Sequence, residues 1–178
     1  MGPLSRCLAI VLIAGQPVAA LADRWEPGTT HAGVQYSHLD MDAGGGIDSA
    51  NPGAIMVRAG HQASDIFGVE GRLGIRTRGD ELNDVTVRLD RLFGLYVTAH
   101  APLGNRFSAY AIGGWSDARV SARNGDDRHS GTEAGVSAGI GLDYAVDPDF
   151  RLNLEYMRYL HTGDIDLSAV GIGLSIRL

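Results

Sequence analysis

The stretch EAGVSAGIGLDYAV, Glu133 to Val146, decides how the rest of the chain is read. Ala134, Val136, Ala138, Ile140, Leu142, Tyr144 and Val146 take every second position. Gly135, Ser137, Gly139, Gly141, Asp143 and Ala145 fill the places between. A period of two belongs to a β-strand, whose side chains alternate between two faces. One face here is apolar and the other is nearly bare.

The same alternation recurs on both sides of this stretch. Before it come Thr29 to Leu39, Ala54 to Gln62, Ile66 to Thr77, Val85 to His100 and Phe107 to Ala122. After it come Phe150 to Leu160 and Ser168 to Leu178. In the segment from Ile66, Phe67, Val69, Leu73 and Ile75 oppose Gly68, Glu70, Arg72, Gly74 and Arg76. The segment from Phe107 carries apolar residues on both faces in its first half. Its second half sets Ala118, Val120 and Ala122 against Asp117, Arg119 and Ser121, which assigns Tyr110 and Ile112 to the apolar face and Trp115 to the other. The pattern predicts eight strands. Long polar connections at Asp40, Arg78 and Arg123, and a short one at Thr162, alternate with tight turns at Ala63, Ala101 and Asp147. An antiparallel up-and-down order puts the long connections on one rim and the tight turns on the other.

A soluble β-barrel and a membrane β-barrel share this alternation. The polar face separates them. A surface facing water has no reason to be small, and glycine there weakens a strand. The lumen of an eight-stranded barrel is only wide enough for its own side chains, so glycine and serine must make room for a few long ones. Here Gly68, Gly74, Gly94, Gly135, Gly139, Gly141, Gly171 and Gly173 stand beside Glu70, Arg72, Arg76, Asp143, Arg151, Glu155 and Arg177. Both signs of charge are present, as mutual pairing inside a protein requires. Those seven charged residues are the expected lumen network, with Glu70–Arg72 and Glu155–Arg151 as pairs along a strand. The expected fold is all-β, an eight-stranded antiparallel up-and-down transmembrane β-barrel. Its last strand, with Val170, Ile172, Leu174, Ile176 and Leu178 on one face, pairs with the first.

The remaining features agree with export. Residues 1–22 read as a signal peptide, with Arg6 before the apolar run Cys7 to Ala14 and a cleavage site at Ala20 and Ala22. That leaves residues 23–178 as one barrel domain. Cys7 is the chain's single cysteine, so the exported part forms no disulfide. All 15 basic residues are arginine against 21 acidic residues, a net charge of −6. This acidity argues against nucleic acid as a partner.

Other candidate sites have plainer readings. Tyr36, Phe67, Phe93, Phe107, Tyr110, Tyr144, Phe150 and Tyr156 suit the aromatic girdles of a membrane barrel. Asp40, Asp42 and Asp48 faintly resemble a calcium loop, but Gly44 stands where a carboxylate is due. Arg78–Gly79–Asp80 is an RGD tripeptide, too short to carry a binding role. His31, His38, His61, His100 and His129 show no spacing of metal ligands or a catalytic triad. No catalytic residue, cofactor or metal is expected.

Five pieces carry a family resemblance: VEGRLGIRT from Val69, APLGNRFSAYAIGGW from Ala101, SAGIGLDYAV from Ser137, NLEYMRYL from Asn153 and VGIGLSIRL from Val170. In this order and spacing the chain resembles the small outer-membrane β-barrel proteins, the opacity-protein or porin-like group. The resemblance implies an outer membrane of the Gram-negative type, contact with its lipid and lipopolysaccharide, and insertion by the barrel-assembly machinery. That machinery reads a C-terminal strand ending in an aromatic residue; here Leu178 is last and Ile176 stands where tyrosine is common. Some such barrels hydrolyse lipid A with His, Ser and Glu. His161 comes nearest to that set, but the hydroxyl beside it is the adjacent Thr162, which points to the opposite face. The expected role is structural or interactive, exercised by the outer loops. A narrow pore for small solutes and a lipid A hydrolase are the alternatives.

Overall fold

The computed structural model describes residues 25–42, 53–78, 80–82, 85–124, 127–162 and 165–178. The strands are β1 (Thr30–Asp42), β2 (Gly53–Gln62), β3 (Phe67–Arg78), β4 (Asp80–Leu82), β5 (Val85–Pro102), β6 (Phe107–Asn124), β7 (Asp127–Ala145), β8 (Phe150–Thr162) and β9 (Ile165–Arg177). Every pairing is antiparallel. The three-residue β4 continues the line of β3 along β5, so the wall has eight staves. β1 pairs with β9 from His31↔Arg177 to Asp42↔Asp166, and β3 pairs with β5, which closes the sheet on itself. Closure removes the open strand edge that hydrocarbon would not tolerate.

The apolar face of the wall points outward. Val136 is 72% exposed, Ile140 65% and Ile172 60%, whereas Arg72 and Glu155 are each 1% exposed. A soluble barrel would have these reversed. No helix among the described residues is long and apolar enough to cross a membrane. The spanning elements are strands.

The tight turns have local causes. At Ala63–Ile66 the Ser64 hydroxyl oxygen accepts from the Phe67 amide at 3.0 Å. At Asp147 a carboxylate oxygen accepts from the amides of Asp149 (2.9 Å) and Phe150 (2.8 Å), an Asx-turn. At Ala101–Arg106, Gly104 takes φ +139°, which favours glycine, and Leu103 N–H donates to the Phe107 carbonyl at 2.8 Å. The first described residues, from Trp25, and the C-terminal Leu178 lie on this rim, the periplasmic one for an outer-membrane barrel.

At the opposite rim the structure departs from expectation. The polar stretch from Arg123 is largely strand: β6 and β7 stay paired to Asn124↔Asp127. The stretch from Arg78 likewise holds β4, paired to the start of β5. Above the bilayer both faces of a hairpin meet water, so it loses its apolar alternation while keeping its ladder. Residues 43–52, the bulk of the first outer connection, lie outside the described residues, as do residues 1–22, read as a signal peptide with cleavage at Ala20 and Ala22, and Gly79.

The first half of β6 is also reversed. Tyr110 and Ile112 are buried inside at 3% exposure, and Trp115 faces outward at 54%. Ala118 is buried as well, while Arg119 is exposed. The outer end of β6 has left the apolar band, so charge lies outside and a small residue inside. Tyr110 therefore belongs to no girdle. Tyr36, Phe67, Phe93, Phe107, Phe150 and Tyr156 are exposed on the wall, and Tyr144 is half-buried against Phe107 with ring centroids 5.0 Å apart.

Candidate functional site

The lumen is filled in layers. The middle layer is a ring of charges drawn from β1, β2, β3, β6 and β8. Glu70 accepts from Arg58 Nε at 3.0 Å and from Arg72 Nε at 2.6 Å. Arg72 reaches onward and gives its two terminal nitrogens to Glu155, at 2.5 and 2.6 Å. Glu155 also accepts from Tyr110 O–H at 2.8 Å and from Gln35 Nε2 at 3.2 Å, while Arg58 Nη1 donates to Gln35 Oε1 at 3.2 Å. The Arg72 guanidinium lies over the Tyr96 ring at 5.2 Å. Forked pairing of this kind suits guanidinium and carboxylate, and its partners meet the demand of burying both charges.

Below it, toward the periplasmic rim, Trp25 inserts its indole into the mouth. The ring stacks on His31 with centroids 3.8 Å apart and lies over the Arg151 guanidinium at 4.5 Å. Backbone bonds from Gly28 N–H to the Gln62 carbonyl (2.7 Å) and from Gln62 N–H to the Thr29 carbonyl (2.8 Å) tie this segment to β2. His100 and Asp143 face each other nearby, with Nδ1 to Oδ2 at 3.7 Å.

Above the charge ring, Tyr96 shares a hydrogen bond with Ser116 at 2.6 Å, and Ser137 donates to the Tyr159 carbonyl at 2.5 Å. The outermost layer is apolar: Leu39, Met56, Leu92, Met157, Tyr159 and Leu167 are all buried. Among the described residues these layers lie one above another along the lumen, from Trp25 to Leu39 and Leu167.

This filling explains the bare face of the strands. A β-carbon on Gly94 would collide with the Tyr96 ring, and one on Gly141 with the Tyr110 ring. At Gly171 it would strike the Gln35 amide. Tyr96, Tyr110 and Gln35 thus each lie across a lumen glycine.

Of the seven charges expected inside, Glu70, Arg72, Asp143, Arg151 and Glu155 are buried in the lumen. Arg177 is exposed at the end of β9 instead, because the wall ends there and its side chain meets water. The side chain of Arg76 lies outside what the structure describes. Glu155 is held by Arg72 from across the barrel, while Arg151, expected beside it, packs against Trp25. Arg58 and Tyr110 are central to the ring but were not among the residues expected to form it. Arg58 was legible, since it shares the inward parity of Met56 and Gly60. Tyr110 was hidden by the reversal of β6. The side chains of His161 and Thr162 are outside the described set, and among the described residues no three His, Cys, Asp or Glu are grouped to hold a metal.

A closed barrel, apolar outside and charged within, has known counterparts. A family model described as "Outer membrane protein beta-barrel domain" matches residues 7–177. The chain belongs to this family. It is an integral protein of the outer membrane. Among solved structures it is similar to Ail, the attachment invasion locus protein of Yersinia pestis, with TM-score 0.67 and 16% identity over 85% of this chain and 99% of that one. It is also similar to neisserial surface protein A, with TM-score 0.62 and 16% identity over 84% and 97%. The N-terminal barrel domain of Pseudomonas aeruginosa OprF gives TM-score 0.60 and 14% identity over 82% and 97%. At these identities the likeness is one of fold. Comparison with curated proteins by sequence finds no match.

Proposed function

We propose that this outer-membrane barrel presents a surface-interaction site on its outer rim, and that the charged lumen serves as its structural core. The observation that carries this reading is the filled interior. The ring Arg58–Glu70–Arg72–Glu155–Tyr110 lies between the Trp25 layer and the apolar outer layer, so solute has no ready path. What remains for function is the outside.

The outer ribbon supports it. A strand needs about 9–11 residues to cross a bilayer. β5 and β6 have 18 residues each and β7 has 19, so they extend well beyond the hydrocarbon. Ail, of similar fold, has been solved in complex with the heparin analogue sucrose octasulfate. The first outer connection here carries Asp40, Asp42 and Asp48, which fits a cationic or neutral partner better than a sulfated one. In this reading residues 1–22 are the export signal with cleavage at Ala22, the last strand with Val170 to Leu178 is what the barrel-assembly machinery engages, and lipopolysaccharide surrounds the outer rim.

The test replaces residues 41–52 by a short turn in cells displaying the protein. The shortened barrel should keep its heat-modifiable mobility and lose attachment of those cells to a host-cell layer. Unchanged attachment would overturn the reading.

A further inference from the structure

Three of the apolar faces are interrupted by an arginine, always toward the outer rim. Arg91 shares the outward parity of Phe93, Leu95 and Val97 on β5. Arg119 shares that of Phe107 and Trp115 on β6, and Arg158 that of Leu152, Leu154 and Tyr156 on β8. All three are exposed.

Two further observations bear on Arg91 and Arg119. They face each other across β5 and β6 in the ladder. Like charges at directly opposed positions repel, so the arrangement costs stability unless an anion lies between them. In addition, the register shifts at this point, between Leu89 and Arg91. The skipped Asp90 accepts a hydrogen bond from Ser121 at 3.1 Å, so this acid is occupied at the bulge. Bulges commonly re-aim side chains in this way. Half-buried Asp117, two residues before Arg119, is the acid on the same face of β6.

Their height is set by strand geometry. Arg158 is eight residues above Phe150, and Arg119 is twelve above Phe107, counted from the tight-turn rim. At about 3.3 Å per residue and a tilt of about 40°, these steps rise roughly 20–30 Å. The outward apolar band of such barrels is about 25 Å tall. The arginines therefore lie where the hydrocarbon of the outer leaflet gives way to headgroups. Between them, Trp115, Val136, Ala138 and Arg158 line a wall groove of about 500 Å³. The turns of the opposite rim carry Asp65, Asp147 and Asp149 beside a single arginine, Arg106.

We propose that Arg91 and Arg119, flanked by Trp115 and Arg158, form a wall site for a phosphorylated glycolipid of the outer leaflet. The opposed guanidinium groups take the phosphate, for which their forked donors are suited, and an acyl chain lies along the groove. The proposal gives a definite place to the lipopolysaccharide contact named above and depends on the membrane position of the barrel, not on the loop site.

The test refolds the mature chain in neutral detergent and follows its thermal loss of heat-modifiable mobility. Diphosphoryl lipid A should raise the midpoint by several degrees, as any ligand of the folded state does. Dephosphorylated lipid A, or inorganic phosphate at equal phosphate concentration, should give less than half that shift. Arg91→Gln/Arg119→Gln should fold and lose most of the shift. Arg91→Lys/Arg119→Lys should keep part of it, and Arg106→Gln on the opposite rim should keep all of it. An undiminished shift in the double glutamine variant would overturn the site, as would an equal shift with dephosphorylated lipid or with free phosphate. Should the double variant fail to refold, either single glutamine variant gives the same reading at smaller size. Because mobility reports folding separately, a failed site is distinguishable from a failed barrel.

Discussion

Arg72 and Glu155, 83 residues apart in the chain, meet across the barrel with two hydrogen bonds of 2.5 and 2.6 Å. One stands on β3 and the other on β8, so neither strand alone contains the interaction. Removing one partner leaves a buried charge uncompensated, which costs about 3–5 kcal/mol. Glu155→Gln should lower the unfolding free energy of the refolded barrel in urea by about that amount. Replacing both, as Arg72→Met/Glu155→Leu, should recover much of the loss. If the single variant unfolds like the wild type, the ring is not holding the barrel.

The lumen glycines make a second prediction. Gly141→Ala forces a methyl against the Tyr110 ring, and Gly94→Ala forces one against Tyr96. Overpacking of this kind costs about 1–3 kcal/mol. Pairing Gly141→Ala with Tyr110→Phe should not rescue it, because the ring atoms rather than the hydroxyl alone are struck; pairing with Tyr110→Leu should.

Lipid contact is tested on the outer wall. Ile140→Arg places a charge within the apolar band and should destabilise the folded protein in vesicles by about 2–4 kcal/mol, falling toward zero near the interfaces. Exposed Thr132 stands at the arginine level, directly opposite Arg119, so an ion placed there as Thr132→Glu should cost little. Equal costs at the two places would argue that no bilayer edge lies between them.

The filled interior predicts electrical silence. Planar bilayers containing the refolded protein should show no stable conductance. Trp25→Ala should also be silent, since the charge ring and the apolar outer layer remain in place. Regular single-channel steps in the wild type would favour the pore reading.

The fold was legible in the sequence because the two faces differ so strongly. Val136, Ile140 and Ile172 on one side and Gly139, Gly141 and Gly173 on the other fix both the strand and its outward face. β6 misled because its lumen side reaches the apolar layer: Ile112 inside and Ala111 outside are both apolar, so hydropathy carries no direction there. Size carries it, since Phe107 and Trp115 share one parity and both lie on the wall. The charge ring was legible only in part. Glu70 and Arg72 announce themselves as neighbours on one strand, whereas the contact of Arg72 with Glu155 depends on how the sheet curls. Trp25 precedes the first alternating segment, and nothing local marks it as an insertion into the mouth.

Pairing across the barrel also bears on assembly. The Arg72–Glu155 bond and the β1–β9 seam both join early residues to late ones, so neither exists in a partly rolled sheet. An intermediate of that kind in hydrocarbon would expose uncompensated ions and an unmatched ladder together. Curling of the sheet and cancellation of its interior charge thus become one concerted event, and the half-made molecule has a reason to stay out of the bilayer until its final strand arrives.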